Sequence, residues 1–301
     1  LHAPRNQPTP RLKAPPQPVA LAHNSPTPEI YHAGADFTGD SLALARAGAE
    51  SDAEVIVMCG VHFMAETAKI LSPEKTVLLP DVEAGCSLAE AVTAADVRTL
   101  RRRSPGVPVV TYVNTSADVK AESDICCTSA NAVQVVESLG TDRVIFLPDE
   151  YLGRYVAGQT SVEIILWHGH CEVPERFSGD ELRQYRAAHP GLQVLAHPEC
   201  PPDVLDEADY VGSTAGMIGH VKGHRPPRVI LVTECSMSDN VAGECPEVEF
   251  IRPCNLCPHM KRITLGKIER ALTEMSPAIE VPAGVLDRAR SSVERMLEVG
   301  R

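Results

Sequence analysis

Val19-Ala-Leu-Ala-His23, Val109-Val-Thr-Tyr-Val-Asn114 and Gln193-Val-Leu-Ala-His197 are three apolar runs that each end in a polar side chain. Each leads through a polar loop and a helical stretch to an acid and a cluster of small residues. These are Ala35-Asp36 to Asp40-Ser41, Ser123-Asp124 to Thr128-Ser129, and Ala208-Asp209 to Ser213-Thr214. A second apolar run follows in each case, at Val55–Cys59, Val144–Leu147 and Val229–Val232, and a third run, beginning at Thr76, Val162 or Val248, leads to a cysteine. Those cysteines, Cys86, Cys171 and Cys257, recur at intervals of 85 and 86 residues. β-branched runs alternating with Ala/Glu/Leu-rich helical segments indicate α/β layers on parallel sheets, and a fixed period marks copies of one unit. The expected fold is α/β: three αβα sandwich domains with short parallel sheets, related by a pseudo-threefold axis around a central site. The units are placed at 20–105, 106–191 and 192–275, with a helical segment at 276–301 whose helices pack near the first unit. Residues 1–19, with six Pro, read as a disordered leader.

Ligands of parallel sheets gather at the carboxyl ends of the strands, where helix N-termini also point. All the elements above lie at such ends, so one cavity should receive three cysteines, three strand-end polar groups and three hydroxyls. The composition limits what that cavity serves. The chain has 301 residues, 40 Asp+Glu against 28 Lys+Arg and a net charge of −12, which leaves no basic footprint for nucleic acid or an anionic membrane. No apolar run is long enough to cross a bilayer and no signal-like segment opens the chain; a soluble, cytoplasmic protein is expected. Ten cysteines are then unusual, because cytosolic chains seldom keep disulfides.

A buried cysteine is ordinarily a small hydrophobe. Cys86, Cys171 and Cys257 differ in sharing one register. Three thiolates suit zinc or an iron–sulfur cluster and leave one metal position open. Cys254-Asn-Leu-Cys257 alone is a weak signal, and Cys59, Cys126, Cys127, Cys200 and Cys245 read as core or as neighbours of the site. Ser41, Ser129 and Thr214 sit where helices should begin; a single one would be an N-cap, but three on one axis favour anion binding. His23, Tyr112, Asn114, His197 and Glu199 supply donors and proton-transfer groups. Asp81, Asp149 and Glu234 follow strands too, and helix capping would account for them.

The runs Gly39–Ser41, Leu79–Ser87, Thr111–Ser116, Cys127–Asn131, His197–Cys200, Gly212–Thr214 and Cys257–Lys261 closely resemble quinolinate synthase, in order, from about Leu21 to Leu272. The resemblance implies an enzyme that condenses iminoaspartate with dihydroxyacetone phosphate to quinolinate, phosphate and water for NAD synthesis, fed by L-aspartate oxidase or aspartate dehydrogenase. It implies a [4Fe–4S] cluster on Cys86, Cys171 and Cys257, with substrate held by His23, Ser41, Tyr112, Asn114, Ser129, His197, Glu199 and Thr214. Of these, Glu199, Tyr112 and His197 would be catalytic.

Two positions depart from the family pattern. His23-Asn24-Ser25-Pro26 stands where His-Asn-Tyr-Gln is usual, and Pro174 replaces a His three residues after the second ligand cysteine. The sequence therefore leaves open an impaired iron–sulfur binding or sensing homologue and, less favoured, a Cys₃ zinc hydrolase. Tyr31, His32, His168 and His170 are candidate substitutes for the two lost rings. Thr27-Pro28-Glu29 reads as a helix start, with Thr27 as N-cap.

Overall fold

Val55-Ile-Val-Met-Cys59 is buried along its whole length, as a parallel strand covered on both faces must be. The computed structural model describes residues 18–299; apart from Pro18 and Val19, the expected leader lies outside the described residues. Those two residues already belong to the first strand, so the first unit starts before residue 20.

The first sheet comprises β1 (Pro18–His23), β2 (Phe37–Gly39), β3 (Val55–Cys59) and β4 (Thr76–Leu78), in the order β2-β1-β3-β4. The second comprises β5 (Val109–Tyr112), β6 (Ile125–Cys127), β7 (Arg143–Leu147) and β8 (Glu163–Leu166), in the order β6-β5-β7-β8. In the third, β9 (Leu192–Ala196), β10 (Tyr210–Val211), β11 (Arg228–Val232) and β12 (Glu249–Ile251) run β10-β9-β11-β12. All pairings are parallel. One topology thus occurs three times, as the repeat predicts.

The edge strands β2, β6 and β10 are absent from the sequence reading. With two or three residues each, they are too short to show an alternation. What aligns them is an acid. Asp36 accepts the Ala20 N–H at 3.0 Å, Asp124 that of Val109 at 2.7 Å, and Asp209 that of Val194 at 2.7 Å. Each carboxylate satisfies a backbone donor of the first strand that the ladder leaves over.

The C-terminal helices close the first two units. Helix Leu265–Glu274 lies against β3, and helix Ala283–Glu298 covers β6 and the helices His62–Leu71 and Ala117–Ala121. Ala289, Val293 and Met296 form its buried face, and each larger apolar side chain buried there contributes about 1.5–3 kcal/mol. Among the described residues, no helix is long and apolar enough to cross a membrane.

Candidate active site

Each of the three register cysteines stands just before a short helical turn: Ser87–Glu90, Pro174–Arg176 and Met260–Arg262. The backbone repeats as well. The carbonyl of Cys86 accepts from Glu90 N–H at 3.1 Å, that of Cys171 from Glu175 at 3.2 Å, and that of Cys257 from Lys261 at 3.2 Å. In every case the turn directs amide N–H groups at the sulfur: Leu88 and Ala89 at Cys86, Val173 at Cys171, His259 and Met260 at Cys257. Burial pushes the Cys86 thiol up to about 12 and raises Cys171 and Cys257 as well. Amides aimed at sulfur counter that cost for the thiolate form, and hydrogen bonds of this kind tune iron–sulfur ligands. Three unpaired thiols so prepared, one per unit on one cavity, form a donor set that fits the cluster the resemblance implies. Among the described residues, no group of three His, Cys, Asp or Glu stands closely enough to hold a metal ion.

Gly169 fixes the approach to the second cysteine. A Cβ there would sit 2.4 Å from the Pro148 carbonyl oxygen, to which Gly169 N–H donates at 3.0 Å. Only glycine lets the two segments come this close.

The cavity has a volume of about 110 Å3, and all eleven predicted site residues line it: Cys86, Cys171 and Cys257 with His23, Ser41, Tyr112, Asn114, Ser129, His197, Glu199 and Thr214. The hydroxyls are not caps. Asp40 caps the helix that starts at Ser41, and Ser213 caps the one that starts at Thr214, while Ser129 stands two residues ahead of the N-cap Asn131. Relieved of capping, the three hydroxyls are left for the cavity. The Asn114 side-chain oxygen is buried with no protein partner among the described residues.

Proton-handling groups gather on the side of the third unit. His197 Nε2 lies 3.0 Å from Ser129 Oγ, and its Nδ1 lies 3.5 Å from a Glu199 carboxylate oxygen. Burial raises Glu199, but His197 and then hydrogen bonds from Tyr112 and Cys171 outweigh it and hold the carboxyl below its ordinary value. Burial and the Glu199 charge push the Tyr112 phenol well above 10. One residue beyond the sequence-derived set belongs to this network without lining the cavity. Asp149 is fully buried and caps helix Glu150–Ala157 through Leu152 N–H, and burial together with Glu199 raises its carboxyl well above the usual range. Its place after a strand flagged it, but its coupling to Glu199 lies across two units and has no sequence signal.

Several expectations fail in detail. Tyr31 donates to Glu244, and His168 and His170 contact Glu150; none of these, nor His32, lines the cavity, so none replaces a lost ring there. His259, which pairs with Glu172 at 3.3 Å, lines the cavity together with Pro174. Pro174 takes the first position of its turn, where no N–H is needed. The Thr27 carbonyl accepts from Ile30 and Tyr31 N–H as a helix start should, but its hydroxyl caps nothing and is buried without a partner among the described residues. Cys254 and Cys257 do not act as a pair: Cys254 is exposed and meets Cys235 at 2.7 Å, whereas Cys257 faces the cavity. Cys59, Cys126, Cys127, Cys200 and Cys245 are buried.

A family model described as quinolinate synthetase A protein matches residues 9–298. The chain is 66% identical over 281 residues to quinolinate synthase 2 of Mesorhizobium japonicum, covering 93% of this chain and 87% of that one. It is 64% identical to the quinolinate synthase of Agrobacterium fabrum, covering 93% and 81%, and 59% identical to that of Caulobacter vibrioides, covering 96% and 80%. By this match over nearly its whole length, the chain belongs to the quinolinate synthetase A family.

Proposed function

We propose that the cavity joins iminoaspartate to dihydroxyacetone phosphate and releases quinolinate, phosphate and water, in NAD synthesis in the cytoplasm. The observation that carries this reading is the convergence of one cysteine from each repeat on a cavity that also holds hydroxyls, histidines and an ionised carboxylate. A [4Fe–4S] cluster held by Cys86, Cys171 and Cys257 would supply a Lewis-acidic iron without a protein ligand.

The chain's own groups bind and move protons. Ser41, Ser129 and Thr214 offer hydroxyls to carboxylate and phosphate oxygens, and helix N-termini beside Ser41 and Thr214 add their dipoles. That local field lets an acidic protein hold an anionic substrate. Asn114 presents its unpaired carbonyl oxygen to a substrate N–H or O–H. Glu199 is the base: it stays ionised, and its neighbours Tyr112 and His197 hold it in place. The Tyr112 phenol stays protonated and donates. In the neutral His197 ring, Nδ1 accepts the Glu199 N–H and Nε2–H donates to Ser129, an assignment made from the hydrogen-bond pattern.

The substrate supplier would be L-aspartate oxidase or aspartate dehydrogenase, since oxidising the amine of aspartate yields iminoaspartate. Nothing in the cavity favours the impaired homologue. The test is quinolinate formation from iminoaspartate and dihydroxyacetone phosphate by anaerobically purified protein. Product is expected from the unaltered chain; its absence from a fully iron-loaded sample would overturn the reading.

A further inference from the structure

Three consecutive backbone carbonyls in the loop after β1 are held by side chains of the third unit. Asn240, in helix Ser236–Glu244, donates its amide to the Asn24 and Pro26 carbonyls, each at 2.9 Å. Lys261 donates to the Ser25 carbonyl at 3.1 Å and is itself held by Glu234 at 2.8 Å and by the Ser236 hydroxyl. Asn24, Ser25 and Asn240 are buried, so these bonds replace water that the loop carbonyls cannot reach. The Asn24 side chain, fixed in this way, donates its amide N–H to the Thr214 hydroxyl oxygen at 2.9 Å.

A hydroxyl that accepts a hydrogen bond must send its own proton elsewhere. Ser213 already caps the helix that begins at Thr214, and the side of Thr214 left open faces the cavity. We propose that Asn24, locked by Asn240 and Lys261, is a positioning residue that fixes Thr214 as a hydrogen-bond donor to an anionic carboxylate or phosphate oxygen of the substrate. The inference rests on the proposed function for the identity of that substrate, but not for the polarity of the bond. It gives a reason for the clamp: a loop free to shift would carry the Asn24 amide away from the Thr214 hydroxyl.

Asn24→Asp tests it, because the isosteric carboxylate would accept the Thr214 proton and turn oxygen lone pairs toward the cavity. Calorimetry on anaerobically purified holoprotein, with inorganic phosphate and with malate as a four-carbon dicarboxylate, should show one of the two binding about tenfold to a hundredfold more weakly to the variant. Loss on phosphate alone assigns Thr214 to the phosphate end, and loss on malate alone to a carboxylate. In turnover, the KM of the matching substrate rises while kcat holds. Unchanged binding of both anions by a variant with wild-type melting would overturn the proposal. If Asn24→Asp does not fold, Asn240→Ala is measured in the same way: weakened anion binding supports the clamp, and unchanged binding overturns it. Anion binding is read without turnover, so a wild-type chain that makes no quinolinate would refute the proposed reaction while leaving this test intact.

Discussion

The ends of β1 and β9 are equivalent places in the repeat, and each carries a histidine, yet the two rings are prepared for different work. His23 meets the Ser25 hydroxyl at 3.1 Å, and burial lowers it to about 4, against the pull of Asp40. It is a neutral ring, which under the proposed function would orient and bind substrate. His197 stands between the Ser129 hydroxyl and the Glu199 carboxylate, in contact with groups that give and take protons. The backbone of the repeat determines where a side chain arrives, and the two residues that follow the histidine determine what it does. At β1 those are Asn24 and Ser25, which tie the ring to a clamped loop; at β9 they are Pro198 and Glu199, which place a charge beside it.

The strongest way to break this contrast is Glu199→Gln. Loss of the base should cost about 10²–10⁴ in kcat, whereas His23→Gln should act mainly on KM; equal effects on kcat at both ends would erase the distinction. A thermodynamic test comes next. Between pH 6.5 and about 4 the unfolded chain binds a proton at His23 that the native ring refuses. The stability contribution is therefore fully present above pH 6.5 and falls as the pH falls, by up to about 3 kcal/mol. Asp149, with its raised carboxyl, works with the opposite sign, so the comparison needed is wild type against His23→Gln. Melting measured from pH 7 to 4.5 should fall more steeply for the wild type, and parallel curves would mean that His23 titrates normally. The smallest expected effect is that of Ser25→Ala, which removes the partner of His23 and should lower kcat/KM about fivefold.

Much of this was legible in the chain because the repeat writes its chemistry at strand ends. Cys86, Cys171 and Cys257 could be placed on one cavity without coordinates, since equal spacing in a repeat fixes equal position. The hydroxyls were legible as residues, but their freedom was not, because it depends on Asp40 and Ser213 doing the capping instead. The edge strands were too short to carry a period, and only the bonds from Asp36, Asp124 and Asp209 reveal them as equivalents. Contacts across units left no trace at all. Asn240 reaches Asn24 over 216 residues, and nothing local in a helix marks one buried Asn as the anchor of a distant loop. The substitutes expected for the lost rings failed for the same reason: His168 and His170 stand beside Cys171 in sequence, yet both turn to Glu150.

The central claim is that three repeats each give one thiolate to a single cluster. Iron and acid-labile sulfide measured on anaerobically purified protein test it most directly, in the wild type and in Cys86→Ala, Cys171→Ala and Cys257→Ala. About four of each per chain are expected in the wild type, falling sharply in every one of the three variants but not in Cys59→Ala. A colourless protein carrying one zinc, or full iron retained after loss of any of the three cysteines, would contradict it.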